Sequence, residues 1–266
     1  MMFAGTASLS TALFIYSLLC FEEKPPTPPS HAQANLHLAS CKEGEEKFQS
    51  VFKNLWNDSK SLFKSCAFVV VLLVFGASYP IQRTNSVLLS SLLHQTFTTG
   101  TQLNKHAGVA LAMSWMGYTI GAFVAGLVIS KTKSYKSVVV ASMTSLVISC
   151  AMSTVGILYA NMRVVNAATV LQGLILGFTI TSTYELLVEV TYPHSEMFVS
   201  LLGMGAVGVF RLLYPIVDRV LLNTAGPTAS TLFSLAVSFF LTLVLVLTKM
   251  EYKREQANEE NSHLLK

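Results

Sequence analysis

Apolar residues gather into about seven long blocks, at residues 1–19, 65–89, 106–129, 138–159, 164–188, 198–222 and 228–247, with polar connections between them. Each is close to the roughly 20 residues that carry an α-helix across a hydrocarbon core of about 30 Å. None is a featureless leucine run. Most contain Gly, Ser or Thr, small residues that let helices approach one another in a bilayer. Gly117 and Gly121 are four apart, as are Gly173 and Gly177, while Gly203, Gly205 and Gly208 crowd one short stretch. That spacing predicts close helix packing rather than hinges. The pattern as a whole predicts an all-α, multi-pass membrane protein.

The connections are unequal. The long one, 21–64, is polar and rich in Lys and Glu, and its start (Lys24, Pro25, Pro26, Thr27, Pro28, Pro29, Ser30) favours an extended polyproline-like segment. The remaining connections are short. The predicted organisation is one membrane helix over 1–20, a central loop over 21–64, a six-helix bundle over 65–248 and a tail over 249–266. The first block has no Lys or Arg ahead of its apolar core and no small-residue cleavage site after it, so a retained helix is expected rather than a signal peptide.

Composition narrows the class further. The chain of 266 residues is 52% hydrophobic and 12% charged, against about 25% charged for an ordinary soluble domain. Lys and Arg set the sidedness. The long loop holds Lys24, Lys42, Lys47, Lys53, Lys60 and Lys64; the connection after the third block holds Lys131, Lys133 and Lys136; the tail holds Lys249, Lys253, Arg254 and Lys266. With alternating crossings all three lie on one side, which places the long loop and the C-terminus in the cytoplasm. Asn57, in a glycosylation acceptor pattern, then faces the cytoplasm and stays bare. The plasma membrane is the expected location, with an organelle membrane as the alternative.

Soluble chemistry finds no foothold. The four cysteines (Cys20, Cys41, Cys66, Cys150) have neither disulfide-scaffold nor zinc spacing, and His37 with Cys41 makes only two ligands. There is no phosphate-binding glycine loop and no zinc-type His pair. The net charge of +4 comes from the loops and does not describe a nucleic-acid surface. No enzyme activity, cofactor or metal is expected; the lipid bilayer and a small solute are.

Charges inside the blocks carry the remaining information, because an ionised side chain at the bilayer centre costs roughly 2.5–3.5 kcal/mol on insertion scales. Arg83, Glu185 and Arg211 are the deepest by position. They either line a solute path or pair with one another as fixed structure, and the residues leave both readings open. Glu185 and Glu189 share a helix face one turn apart. Glu189, nearer the cytoplasmic end, is expected to face the basic connection at Lys131 or Lys133. Pro80 precedes Arg83 and Pro215 follows Arg211, so each can kink its helix beside a charge. Gln82, Asn85, Tyr118, Gln172, Tyr184 and Tyr214 offer hydrogen bonds to a solute or to a neighbouring helix.

Two separated motifs carry a resemblance. Lys24 to Ser30 with Ala32 and Gln33 follow an apolar helix; Glu185, Val188, Glu189, Thr191, Tyr192, Pro193, Ser195 and Glu196 recur in order later, and Gly126, Lys133, Tyr135 and Lys136 fit a basic loop between them. Over nearly its whole length the chain resembles the feline leukaemia virus subgroup C receptor-related transporters. These form a major facilitator family linked to choline, ethanolamine and haem movement. The resemblance implies that the first block matches helix six of a twelve-helix transporter and the other six match helices seven to twelve. The chain would then be a C-terminal half with one extra helix, partnered by an N-terminal half or a second copy.

The departures matter as much. The family's choline-facing Tyr in helix seven falls at Arg83, a Gln in helix eleven falls at Gly208 with Arg211 nearby, and the Asp of the basic loop falls at Ser130. A quaternary ammonium is drawn to aromatic faces, and an arginine in that place repels it. The expected function is passage of a small organic solute by alternating access, with the arginines favouring an anionic or zwitterionic one. The alternative is a non-transporting, half-size protein that pairs with or regulates a full-length relative.

Overall fold

The structure, a computed structural model, describes residues 11, 14–16, 58–97, 103–132 and 134–250. The chain divides into two units, Met1–Lys53 and Asn54–Lys266. In the first, the described residues Thr11, Phe14, Ile15 and Tyr16 are helical; most of the block at 1–19, nearly all of the long loop, Lys133 and the tail beyond residue 250 lie outside the described residues.

The second unit holds six long helices: α1 (Cys66–Thr96), α2 (Leu103–Thr132), α3 (Tyr135–Leu158), α4 (Met162–Thr191), α5 (Glu196–Ala225) and α6 (Pro227–Leu247). All six are long and apolar enough to cross a membrane. Helix is the outcome that apolar surroundings demand, since a backbone without water must bond to itself. The helices outrun the apolar blocks at most ends: α1 continues past Leu89 through His94 to Thr96, and α4 past Val188 to Thr191. Backbone bonding carries on into the polar zone after the hydrophobic pattern stops.

Local chemistry sets several ends. Asn161 caps α4, its side-chain oxygen accepting from the backbone N–H of Arg163 at 3.1 Å and of Val164 at 3.4 Å. Between α5 and α6, Gly226 takes φ 87°, a conformation open to glycine, and Pro227 then opens α6. At the other end of α6, Lys136 Nζ donates to the carbonyl oxygens of Val246 (3.1 Å) and Thr248 (2.7 Å), closing orphan acceptors with a positive charge.

α1 is the hub. It packs against α5, α4 and α6, and more lightly against α2. Its buried residues Phe68, Val71, Val74 and Ile81 join Val139, Met143 and Leu146 of α3, Leu186 and Leu187 of α4, Val199 of α5 and Leu245 of α6 in one core. α2 is held differently, by its long contact with α4. A Cβ on Gly121 would overlap the backbone oxygen of Leu174, one on Gly173 that of Ser114, and one on Gly177 that of Tyr118. The two glycine pairs therefore bring the α2 and α4 backbones together, which is the close packing their spacing predicts. Gly205 and Gly208 meet nothing within 4 Å.

Buried hydroxyls close onto their own helices, as when Ser86 donates to the Gln82 carbonyl, Thr154 to Cys150 and Thr191 to Leu187. By contrast α2 and α5 leave large apolar side chains outside: Met116 is 64% and Phe123 70% exposed on α2, Leu212 71% and Ile216 63% on α5. Such surfaces suit lipid tails or further helices, not water.

Candidate functional site

α1 is buried almost all round, but Tyr79 and Arg83 are half-buried and Val87 is exposed. Their spacing of four puts them on one open stripe of the helix. Both α2 and α5 pack against α1. The Arg83 guanidinium lies over the Trp115 ring of α2, 3.8 Å from its centroid. The Arg211 guanidinium of α5 lies 5.8 Å from the centroid of the Tyr79 ring. Arg83, Trp115, Tyr118 and Arg211 all fall within about one turn of their helix midpoints. Two positive charges and two aromatic faces thus share the middle depth of the bundle.

Behind Arg83 is a small cavity of about 10 Å³, lined among others by Gln82, Ser114, Tyr118 and Gln172, at the lower edge of what one water needs. Gln82 is 1% exposed, and neither end of its amide has a hydrogen-bond partner. Gln172 is anchored, donating to Ser153 Oγ at 3.1 Å. A buried amide left unbonded is costly unless something meets it. Next to a guanidinium, it offers an acidic or carbonyl group both a charge and a directional N–H.

The other residues singled out from the sequence go elsewhere. Asn85 is 8% exposed and turned toward α6, its side-chain oxygen accepting from Ser234 Oγ at 3.0 Å. The Tyr184 hydroxyl is 2.6 Å from Ser200 Oγ and its ring lies 6.4 Å from that of Phe75, linking α4 to α5 and α1. Glu185 is half-buried on α4, and Glu189, expected to face the basic connection at Lys131 or Lys133, is 2% exposed. Lys131 is exposed in the last turn of α2. Pro80 is buried inside α1 and Pro215 lies inside α5. Among the described residues no ion pair joins Arg83, Glu185 and Arg211. Nor are these three the deepest charges: Arg211 is exposed at the bundle surface, while Asp218 on α5 is fully buried.

Asp218 belongs to a polar chain of which sequence reading singles out only Asn85 and Tyr214. Its Oδ1 accepts from Ser230 Oγ at 2.6 Å; Ser234 Oγ, besides bonding Asn85, lies 2.8 Å from the Tyr214 hydroxyl. The Tyr214 ring stacks on Phe233. The clue available in the sequence is a lone Asp one turn after Tyr214, facing a following helix that opens Ser230, Thr231, Ser234.

Known proteins share the sequence and the fold of this chain. No family model matches the chain. It is similar to the choline/ethanolamine transporter FLVCR1 of Mus terricolor, 30% identical over 97% of this chain and 44% of that protein. It is also similar to the human choline/ethanolamine transporter FLVCR2, 25% identical over 97% of this chain and 47% of that one. The chain thus spans less than half the length of these relatives. Among solved structures it is similar to a D-xylose-proton symporter, with a TM-score of 0.54 and 15% identity over 75% of this chain and 52% of that one; this likeness concerns the fold. Six apolar spans, a major facilitator neighbour and relatives matched along almost the entire chain agree, and the chain is a homologue of the choline/ethanolamine transporters of the feline leukaemia virus subgroup C receptor-related family.

Proposed function

We propose that this chain forms the C-terminal half of a solute transporter working by alternating access, and that the solute it admits carries a carboxylate or another anionic group. The names of its relatives make choline and ethanolamine the reference solutes. The observation that carries the reading is the pair at mid-depth, Arg83 on the open stripe of α1 and Arg211 of α5 facing Tyr79 of that stripe, with no carboxylate paired to either among the described residues. An uncompensated guanidinium in a membrane span is retained where a watery path or a ligand meets it. Two of them repel a quaternary ammonium and attract an acid.

The exposed face of α1, α2 and α5 is where a second bundle would pack, from an N-terminal half or a second copy of the chain. A solute at the arginines would then lie between two bundles near the membrane midplane, as in other transporters built of two halves. Pro80 and Pro215 each remove a backbone donor within about one turn of an arginine, which makes it easier for the helix to bend there.

The test is uptake of labelled small organic acids and of labelled choline by cells making the protein. Uptake of an acid that other acids compete away and quaternary amines do not supports the reading. Choline uptake undiminished by an excess of the acids contradicts it.

A further inference from the structure

We propose that Asp218, together with Ser230, Ser234, Asn85 and Tyr214, forms a binding site for a monovalent cation of the sodium class. This cluster is separate from the arginine stripe. Asp218 is 0% exposed; its Oδ1 is bonded to Ser230, and its Oδ2 has no hydrogen-bond partner. No lysine, arginine or histidine pairs with it among the described residues. A carboxylate so placed in a membrane span stays ionised only where a positive partner meets it.

The surroundings specify which partner. Every side-chain group in the cluster presents oxygen: the Ser230 and Ser234 hydroxyls, the Asn85 amide oxygen that already faces Ser234, and the Tyr214 hydroxyl. Oxygen-only surroundings suit a hard cation. One carboxylate balances one positive charge, which fits a monovalent ion better than a divalent one. The linked oxygens stand 2.6–3.0 Å apart, so a small ion needs less rearrangement than a large one. Total burial excludes the head of an organic cation reaching in from the stripe.

Position gives the site a consequence. Asn85 is two residues beyond Arg83 on α1, and Asp218 is two turns beyond Arg211 on α5. An ion held there clamps α1, α5 and α6 just beyond the arginines, so that its occupancy sets how the two guanidiniums are spaced.

The test is thermal unfolding of the purified full chain in detergent at fixed pH and ionic strength, in sodium, potassium or N-methyl-D-glucamine chloride. Sodium should raise Tm by a few degrees in a saturable way. Asp218→Asn should abolish the rise, and Ser230→Ala should raise the sodium concentration needed by about tenfold. If Asp218→Asn does not fold, Ser230→Ala and Asn85→Ala carry the comparison. Equal Tm in the three salts overturns the proposal. So does a sodium effect that survives these substitutions, or one reproduced by changing pH at constant sodium. The readout needs no transport, so its failure is distinct from failure of the anion reading.

Discussion

The Arg83 guanidinium rests on the Trp115 ring at 3.8 Å, so a charge from the central helix α1 is fixed against the neighbouring helix α2 at mid-depth. The pairing satisfies part of the charge without neutralising it. A carboxylate in the same place would have made Arg83 inert glue. A ring leaves the outer edge of the guanidinium able to take a ligand.

That relationship is measurable as a coupling. In thermal unfolding of the purified protein, Arg83→Gln and Trp115→Ala together should destabilise by less than the sum of the single changes. The expected difference is about 0.5–2 kcal/mol, the range for a cation over an aromatic face. Strict additivity would mean that the two side chains do not hold each other.

The glycines divide into two classes with opposite expectations. Gly177→Val should abolish monodisperse protein in detergent, because its Cβ lands on the Tyr118 carbonyl of α2 and two backbones would have to part. Gly208→Ala meets open space, and should be neutral or stabilising by up to about 1 kcal/mol through helix propensity. Size-exclusion profiles and Tm of the two variants distinguish the cases.

Cysteine labelling reads both sidedness and packing. Cys66 is exposed at the start of α1, and Cys150 is buried in α3. In a background where Cys20 and Cys41 are replaced by serine, a membrane-impermeant maleimide should modify Cys66 only when applied from the cytoplasm. Cys150 should stay unmodified in intact protein. Labelling of Cys66 from outside would invert the topology while leaving the bundle intact.

Lys136 ties the start of α3 to the end of α6 through the Val246 and Thr248 carbonyls. Lys136→Met keeps the aliphatic stem and removes the donor. It should lower Tm by a few degrees without altering solute selectivity, since charge-assisted bonds to carbonyls contribute modestly and locally. An unchanged Tm would show these contacts to be weak.

Much of the fold was legible because lipid leaves the chain few options. Apolar blocks of the right length must be helices, and six of the blocks correspond to α1–α6 with ends moved by a few residues. The spacing of Gly117, Gly121, Gly173 and Gly177 announced close helix packing, though not that α2 and α4 are the helices it joins. The site was less legible. Arg83 stood out as a charge in an apolar run, but its rest on Trp115, on the next helix, is a tertiary fact that no local pattern encodes. Arg211 looked deep because it is central in α5, yet α5 lies at the edge of the bundle and exposes that face. Asp218 went unnoticed for the converse reason. It lies toward a helix end, where a charge looks solvated, yet it is buried beside α6, whose Ser230 bonds it.

Solute binding by the purified protein, wild type against Arg83→Gln, tests the central claim most directly. With binding read as a thermal shift across a panel of small organic acids and quaternary amines, the wild type should respond to an acid and ignore choline. Arg83→Gln should weaken that response by about 10–100-fold, the loss of one charge-assisted bond. A wild type that responds to choline and not to acids, with Arg83→Gln unchanged, would contradict it.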